Sequence, residues 1–231
     1  MKRLWLLLFL YMGCQSKTSI ISSGVSWELA QHRKATISDV RYKLYFDIPK
    51  DKIKPITVEE FIHFKLSDLT KDVVLDFRQP ADYIRSVSVK GKAVPYKLVN
   101  EHILIEASYF SKGENAIFIS FRAGDMSLNR NDEFLYTLFV PDRASTAIPC
   151  FDQPNLKGRY SLTLSVPTDW TAIANGPIQS EQVMNDKRVI VFGETRPVST
   201  YIFAFTAGKF KRVSQEDRKS TRLNSSHVKR S

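Results

Sequence analysis

Residues 133–177 read EFLYTLFVPDRASTAIPCFDQPNLKGRYSLTLSVPTDWTAIANGP, and this stretch decides the fold. It opens with an aromatic run of strand type and continues into a dense loop at residues 149–154, which holds a cysteine and an aspartate between two prolines. From Tyr160 to Val166 every second residue is apolar, which places these side chains on one face of a strand. We therefore expect two strands joined by a tight loop.

The segments before this stretch repeat the alternating pattern. Every second residue from Val40 to Ile48 is apolar, and residues 56–66 alternate in the same way except at Glu60, so a second strand should pair with the first. The run at 198–205 is apolar on both faces, which predicts a strand buried on both sides. Shorter runs bounded by turn residues lie at 73–77, 84–89, 94–98, 103–106, 116–121 and 189–192.

Short strands at spacings of about 8–12 residues, with few amphipathic helices, are typical of all-β domains. We predict an antiparallel β-sandwich or a saddle-shaped open barrel over residues 34–216. The two cysteines of the chain are Cys14 and Cys150, too few for a disulfide framework, so the fold must depend on its apolar core. Cys150, between Pro149 and Phe151, is expected to be a small buried apolar residue rather than a nucleophile.

The N-terminus has the pattern of an export signal. Lys2 and Arg3 precede an apolar run at residues 4–11, which is shorter than the roughly 20 residues that span a bilayer and fits the apolar region of a signal peptide. We assign residues 1–13 to a signal peptide and the Ser-rich residues 14–33 to a flexible tether. The signal predicts an exported protein of the bacterial cell envelope.

Cys14 directly follows Tyr11-Met12-Gly13, an arrangement that resembles a bacterial lipobox. In such a motif the cysteine carries the lipid and becomes the mature N-terminus, so we predict lipidation at Cys14 and a membrane as a partner. The alternative is an ordinary signal peptide that is cleaved nearby.

The net charge of +10 is concentrated at the two ends of the chain. Lys2 and Arg3 lie in the signal, and residues 217–231 carry a net +4, so about +4 remains for the domain, a usual value for a soluble domain. Nucleic-acid binding therefore loses its main support. Residues 217–227, DRKSTRLNSSH, look like the translation of a sequencing adapter, and we interpret 217–231 as a non-native tail. The alternative is a genuine basic tail.

Several motifs resemble the N-terminal domain of the aminopeptidase N family of zinc metallopeptidases. The resemblance covers about residues 36–212. It rests on Pro-Cys-Phe-Asp-Gln-Pro at 149–154 with the strand that follows, Ala-Asn-Gly at 174–176, Arg-Pro-Val-Ser-Thr-Tyr at 196–201, Gly-Lys-Phe at 208–210 and Asp-Val-Arg-Tyr at 39–42. Asp152 can accept backbone hydrogen bonds and Pro154 fixes φ, so these residues first predict a rigid loop that shapes the domain.

The resemblance implies an aminopeptidase whose zinc lies in a separate catalytic domain. Family members bind zinc through an H-E-x-x-H helix and a distant Glu, and grip peptide substrates with a G-x-M-E-N stretch. Neither motif occurs in this sequence, so we predict no catalytic and no metal-binding residue here, and no activity for this chain alone. The partners implied are the missing catalytic domain and peptide substrates. His32, His63, His102 and His227 have no histidine partner at i+4, and we interpret His63 and His102 as scaffold residues.

One substrate contact is implied for this domain. In the family a Gln or Glu in the strand before the Pro-Cys loop helps to bind the free amine of the peptide. By register, that position falls at Leu138 or Val140, both apolar, so the contact is missing or replaced. Asp142 could supply the charge; the alternative is a surface turn residue.

Three functions remain open. The first is the N-terminal domain of an exported zinc aminopeptidase, a hydrolase that removes N-terminal residues from peptides. The second is a non-catalytic β module that binds proteins, which the apolar Leu138 and Val140 favour. The third is a carbohydrate-binding sandwich, for which the sequence offers few candidate exposed aromatics, such as Trp170.

Overall fold

The computed structural model describes residues 21–213 and 227–230. These residues contain seventeen strands, one α-helix and four short 3-10 helices. The α-helix is α1 Trp27–Thr36, and the 3-10 helices are Ala81–Tyr83, Ala107–Tyr109, Ala144–Thr146 and Thr200–Ile202. The strands are β1 Ile37–Asp47, β2 Thr57–Leu66, β3 Val73–Asp76, β4 Ile84–Val89, β5 Lys92–Ala93, β6 Lys97–Val99, β7 His102–Ile105, β8 Gly113–Arg122, β9 Leu128–Arg130, β10 Phe134–Thr137, β11 Gly158–Pro167, β12 Thr171–Ala174, β13 Ile178–Met184, β14 Lys187–Phe192, β15 Phe205–Gly208, β16 Phe210–Val213 and β17 His227–Arg230.

The largest sheet has eight strands in the order β13-β14-β11-β1-β2-β8-β4-β5. The predicted pairing of β1 with β2 is confirmed and is antiparallel, with Leu44 opposite Glu60. β1 pairs with β11 in parallel, so the sheet is mixed rather than purely antiparallel. Alternating burial along β1 and β2 turns one face of the sheet toward the core.

Two smaller sheets complete the core: β12-β15-β10-β9 and β3-β7-β6. Their buried apolar residues join those of the large sheet in one contiguous cluster. Aromatic stacking continues from the large sheet toward β15. Tyr160 of β11 stacks on Tyr42 of β1 with ring centroids 4.8 Å apart, and on Phe203, which precedes β15, with ring centroids 4.2 Å apart. The all-β prediction is confirmed as an open sandwich of antiparallel and mixed sheets, and the sheets do not close into a barrel.

Helix α1 begins within the segment assigned to the tether, residues 14–33, and ends at Thr36. Ser26 caps it by accepting a hydrogen bond from the amide of Leu29 at 3.2 Å, and the helix runs directly into β1. Arg33 is 1% exposed and reaches into the core. The folded part therefore begins before residue 34, because a buried ion pair described below holds Arg33 against β3. Residues 1–20, which include the predicted signal and Cys14, lie outside the described residues.

The strand predicted at 198–205 is wrong. Val198 forms a single bridge with Gly158, the chain then turns through a 3-10 helix, and β15 begins only at Phe205. Ser199 and Thr200 explain the turn, since their hydroxyls donate to Pro154 O at 2.7 Å and to Asp152 Oδ1 at 2.7 Å. Ile202 is consequently 45% exposed.

Strand β13 was not predicted, because the sequence IQSEQVM has no apolar face, and every residue of the strand is exposed at the edge of the large sheet. Strand β17 belongs to the segment interpreted as a non-native tail and pairs with β16. Residues 214–226 of that region lie outside the described part of the chain.

Candidate functional site

The predicted substrate-contact residues lie at the end of β10. Leu138 donates its amide to Ser127 O at 2.8 Å and continues the strand, while its side chain is 46% exposed. Val140 is 54% exposed, and Phe139 between them is buried with its ring centroid 6.2 Å from that of Phe203. Leu138 and Val140 therefore present apolar side chains to the outside of the domain, and residues 21–213 and 227–230 leave each of them about half exposed.

Asp142 follows on the surface and forms an ion pair with Arg78. Its Oδ2 lies 3.2 Å from Arg78 Nη2, and its side chain is 62% exposed. An exposed pair of this kind contributes little to stability and leaves the carboxylate accessible. Asp142 thus stays available for the predicted contact with an ammonium group, in competition with the Arg78 guanidinium.

The loop at 149–154 is anchored from both sides. Cys150 and Asp76 form an isolated antiparallel bridge, with N···O distances of 2.7 and 3.1 Å, and Asp152 donates its amide to Asp76 Oδ2 at 2.7 Å. The Asp152 carboxylate accepts from the amide of Ser145 at 3.0 Å and from the hydroxyl of Thr200 at 2.7 Å. The loop is a rigid, buried connection, in agreement with its structural interpretation.

Cys150 is fully buried. Burial raises the pKa of its thiol well above the ordinary value, and the nearby carboxylates of Asp152 and Asp76 raise it further. The nucleophilic form of cysteine is the thiolate, and this environment disfavours it. Cys150 is therefore a packing residue.

A buried polar cluster lies behind the loop. Arg33 donates to both carboxylate oxygens of Asp76, at 2.8 and 2.6 Å, and to Val74 O at 2.8 Å. Nδ1 of His102 lies 2.8 Å from Asp76 Oδ1, so the carboxylate lies between the Arg33 guanidinium and the His102 ring. Burial raises the pKa of Asp76, but Arg33, His102 and the Asp152 amide outweigh it and hold that pKa below 3.8.

Sequence reasoning did not find this cluster, although it interpreted His102 as a scaffold residue. The signal is Asp76, a carboxylate inside the apolar run VVLDF, which requires buried cationic partners. Those partners lie 43 residues before it and 26 residues after it, a separation at which no local pattern can identify them.

Glu60 is a second buried carboxyl group. It interrupts the alternation of β2 and points into the core at 0% exposure, opposite Leu44 and Ile119. Neither of its carboxyl oxygens has a hydrogen-bond partner among the described residues. Burial raises the pKa of Glu60 well above its ordinary 4.5, so the group is held as a neutral acid.

The described residues do not form a site that fits zinc. Within 21–213 and 227–230, no group of three or more His, Cys, Asp or Glu residues is placed to hold a metal ion. His102 is occupied by Asp76, and His63 lies exposed on the outer face of β2, with its ring 6.2 Å from that of Phe61. No helix among these residues is long and apolar enough to cross a membrane. Trp170 is fully buried and offers no surface to a sugar.

Comparison with known proteins identifies the chain's relatives. The Peptidase M1 N-terminal domain family model matches residues 62–202. Probable aminopeptidase 2 of Sulfurisphaera tokodaii is 30% identical over 142 residues, which cover 58% of this chain and 18% of that protein. Aminopeptidase M1 of Arabidopsis thaliana is 38% identical over 74 residues, or 32% of this chain and 8% of that protein.

A solved M1 zinc metallopeptidase from Deinococcus radiodurans has the same fold over 84% of this chain and 47% of its own, with a TM-score of 0.67 and 15% identity. The chain spans less than a quarter of the length of the curated relatives it matches. The resemblance seen in the sequence is confirmed, because the family match includes both the Pro-Cys loop and residues 196–201. The chain belongs to the Peptidase M1 N-terminal domain family.

Proposed function

We propose that this chain is the N-terminal domain of an exported zinc-dependent aminopeptidase that removes N-terminal residues from peptides. The family match at 62–202 carries the proposal. Relatives named aminopeptidases are several times longer than this chain, and the described residues contain no metal cluster. We therefore place zinc and the catalytic groups in a further domain, and expect this chain alone to be inactive.

In the full-length protein this domain forms one wall of the substrate cleft. The exposed apolar side chains of Leu138 and Val140 support this arrangement, since neighbouring exposed apolar groups favour contact with another surface. A peptide approaching this wall meets two aliphatic side chains and, beside them, the carboxylate of Asp142. We expect Asp142 to attract the free ammonium group, while the aliphatic side chains of Leu138 and Val140 offer it no hydrogen-bond acceptor.

We further propose that the protein is held in the cell envelope by lipid on Cys14. The support is sequence alone: Lys2 and Arg3, the short apolar run, and Gly13-Cys14 at its end. Mass spectrometry of the membrane fraction tests it. Diacylglycerol on Cys14, with loss of membrane retention in Cys14→Ser, is the expected result; an unmodified N-terminus created by cleavage elsewhere would overturn it.

The second candidate is a non-catalytic module that binds proteins through the same surface. The exposure of Leu138 and Val140, at the position where the family places a polar residue, favours it. The full-length gene product distinguishes the two functions. An aminopeptidase contains about one zinc per chain and releases the chromophore from aminoacyl p-nitroanilides but not from their N-acetylated forms. A zinc-free product without hydrolysis supports the binding module.

A further inference from the structure

Residues 21–24, here named the N-terminal strap, are held by the turn between β6 and β7. Asn100 Nδ2 donates to Ile21 O at 2.6 Å, and Nε2 of His102 lies 3.0 Å from both Ser22 O and Gly24 O. The strap is therefore bound through its backbone carbonyls, the groups that depend least on side-chain identity.

Glu101, in the same turn, also binds the strap. Its carboxylate accepts from the amide of Gly24 at 3.2 Å and from the hydroxyl of Ser23. Asn100 and Glu101 have φ values of 47° and 70°, as a tight two-residue hairpin turn requires. Glycine is the usual second residue of such turns, and a glutamate there accepts backbone strain while placing its carboxylate against the strap.

The hydrogen-bond partners of His102 determine which of its ring nitrogens are protonated. Asp76, beside Nδ1, is an ionised carboxylate and can only accept a hydrogen bond. The two groups beside Nε2 are backbone carbonyls, which also only accept. Both ring nitrogens must therefore donate, and the ring in this arrangement is the imidazolium cation.

We propose that His102 is a proton-dependent latch, which holds the strap in its doubly protonated form and releases it when Nε2 loses its proton. Nε2 is the nitrogen that gives up the proton, because its acceptors are neutral carbonyls. The Nδ1 proton is retained because it lies against the buried negative charge of Asp76.

The charged groups around His102 set the pH at which the latch opens. Burial lowers the pKa of His102, but the hydrogen bond and negative charge of Asp76 outweigh it and raise the pKa above 6.5, with a smaller opposing effect from Arg33 of α1. Glu101, in the same turn, adds a further negative group on the strap side. Because the folded pKa is raised, the latch is fully closed below pH 6.5 and opens as the pH rises through that folded value.

With the lipid at Cys14 proposed above, release of the strap lengthens the chain between the membrane and the domain. The latch itself does not depend on that lipid. With the strap held, the chain between the anchor and residue 21 spans at most about 25 Å; with the strap free as far as the helix cap Ser26, it spans at most about 43 Å. Opening would let the domain move farther from the membrane surface.

Nitrogen-15 NMR of the histidine rings, recorded on this chain, tests the protonation state without any substitution. The expected spectrum at pH 6.5 shows two protonated ring nitrogens for His102, and titration removes the Nε2 proton at a higher pH. A neutral His102 with one protonated nitrogen at pH 6.5 would overturn the proposal, and so would loss of the Nδ1 proton first.

Exchange of the Gly24 amide with water, expressed relative to the unstructured rate at each pH, tests the release of the strap. Protection should fall roughly tenfold as His102 loses its proton, since hydrogen bonds to a charged group are then lost. In His102→Gln, protection should be low and independent of pH, whereas His63→Gln, on the exposed face of β2, should behave as the wild type. Equal protection in His102→Gln and the wild type, or no change across the titration, would contradict the latch. Neither measurement depends on zinc, peptide hydrolysis or the anchor.

Discussion

The guanidinium of Arg33 contacts both carboxylate oxygens of Asp76, at 2.6 and 2.8 Å, with both side chains at most 4% exposed. This pair fixes the helix before β1 to β3, the strand that contacts the Pro-Cys loop, because Asp76 also accepts a hydrogen bond from the amide of Asp152. The most recognisable motif of the chain is therefore supported by a residue that precedes the motif by more than 100 positions.

Replacing Arg33 with Met should destabilise the domain by about 3–5 kcal/mol, because Asp76 would then be buried without its main counter-charge. Urea unfolding monitored by fluorescence measures the loss. The matched control is Arg41→Met, since the ion pair of Arg41 with Asp39 at 3.0 Å is half exposed and should contribute at most about 1 kcal/mol. Equal losses in the two variants would mean that the buried pair is not important for stability.

Replacing Glu60 with Leu should stabilise the domain by about 1–3 kcal/mol at pH 7, because a buried carboxyl group without partners is replaced by an apolar side chain of similar size. The folded pKa of Glu60 is raised, so the wild type loses stability as the pH rises above 4.5 toward that folded value, by up to about 1.4 kcal/mol per pH unit. The difference in the free energy of unfolding between variant and wild type should grow over the same interval.

The exposed neighbour Glu59 provides the control for that series. Glu59→Gln should change stability by less than about 0.5 kcal/mol, with no added dependence on pH. A Glu60→Leu variant less stable than the wild type at pH 7 would show that the carboxyl group has a partner in the core.

Burial alternates from Leu138 through Phe139 to Val140, so we expect substitutions at these adjacent residues to differ in their effect on stability. Phe139→Ala should cost about 3–5 kcal/mol, since it removes a buried ring next to Phe203. Leu138→Gln and Val140→Gln should leave the urea midpoint nearly unchanged, because both side chains are about half exposed. In the proposed full-length aminopeptidase, the same two substitutions should change KM for aminoacyl substrates more than kcat. Stability losses above about 2 kcal/mol at Leu138 would indicate that it packs within this domain.

Cys150 should resist thiol reagents in the folded protein. Burial excludes the reagent, and the raised pKa of Cys150 keeps the thiol protonated. Peptide mapping after treatment with iodoacetamide should find Cys150 modified only in denaturant, whereas a cysteine introduced at Ile53, which is 87% exposed, should react at once. Rapid modification of Cys150 without denaturant would show that the loop opens.

Strands whose burial alternates along the chain could be predicted from the sequence. Strand pairing and turns that depend on residues distant in the sequence could not. β1 and β2 are evident from their period of two, but nothing local indicates that β1 also pairs with β11 in parallel. The segment 198–205 looked like a buried strand, yet the hydroxyls of Ser199 and Thr200 bind the loop at 149–154 and turn the chain.

The exposure of Leu138 and Val140 on either side of the buried Phe139 follows from a local period of two, and their contact with a substrate stays a prediction. The cluster of Arg33, Asp76 and His102 could not be predicted, because its members come from a helix and two strands that meet only in the folded domain. Sequence patterns predict which face of a strand a residue occupies. The partner of a buried charged residue depends on the tertiary fold.

The sequence of the gene beyond the codon for Glu216 tests most directly whether this domain belongs to a zinc aminopeptidase. We expect an open reading frame that continues into G-x-M-E-N, then H-E-x-x-H, then a downstream Glu, in place of residues 217–231. A stop codon shortly after Glu216, or a continuation of comparable length without those motifs, would contradict it.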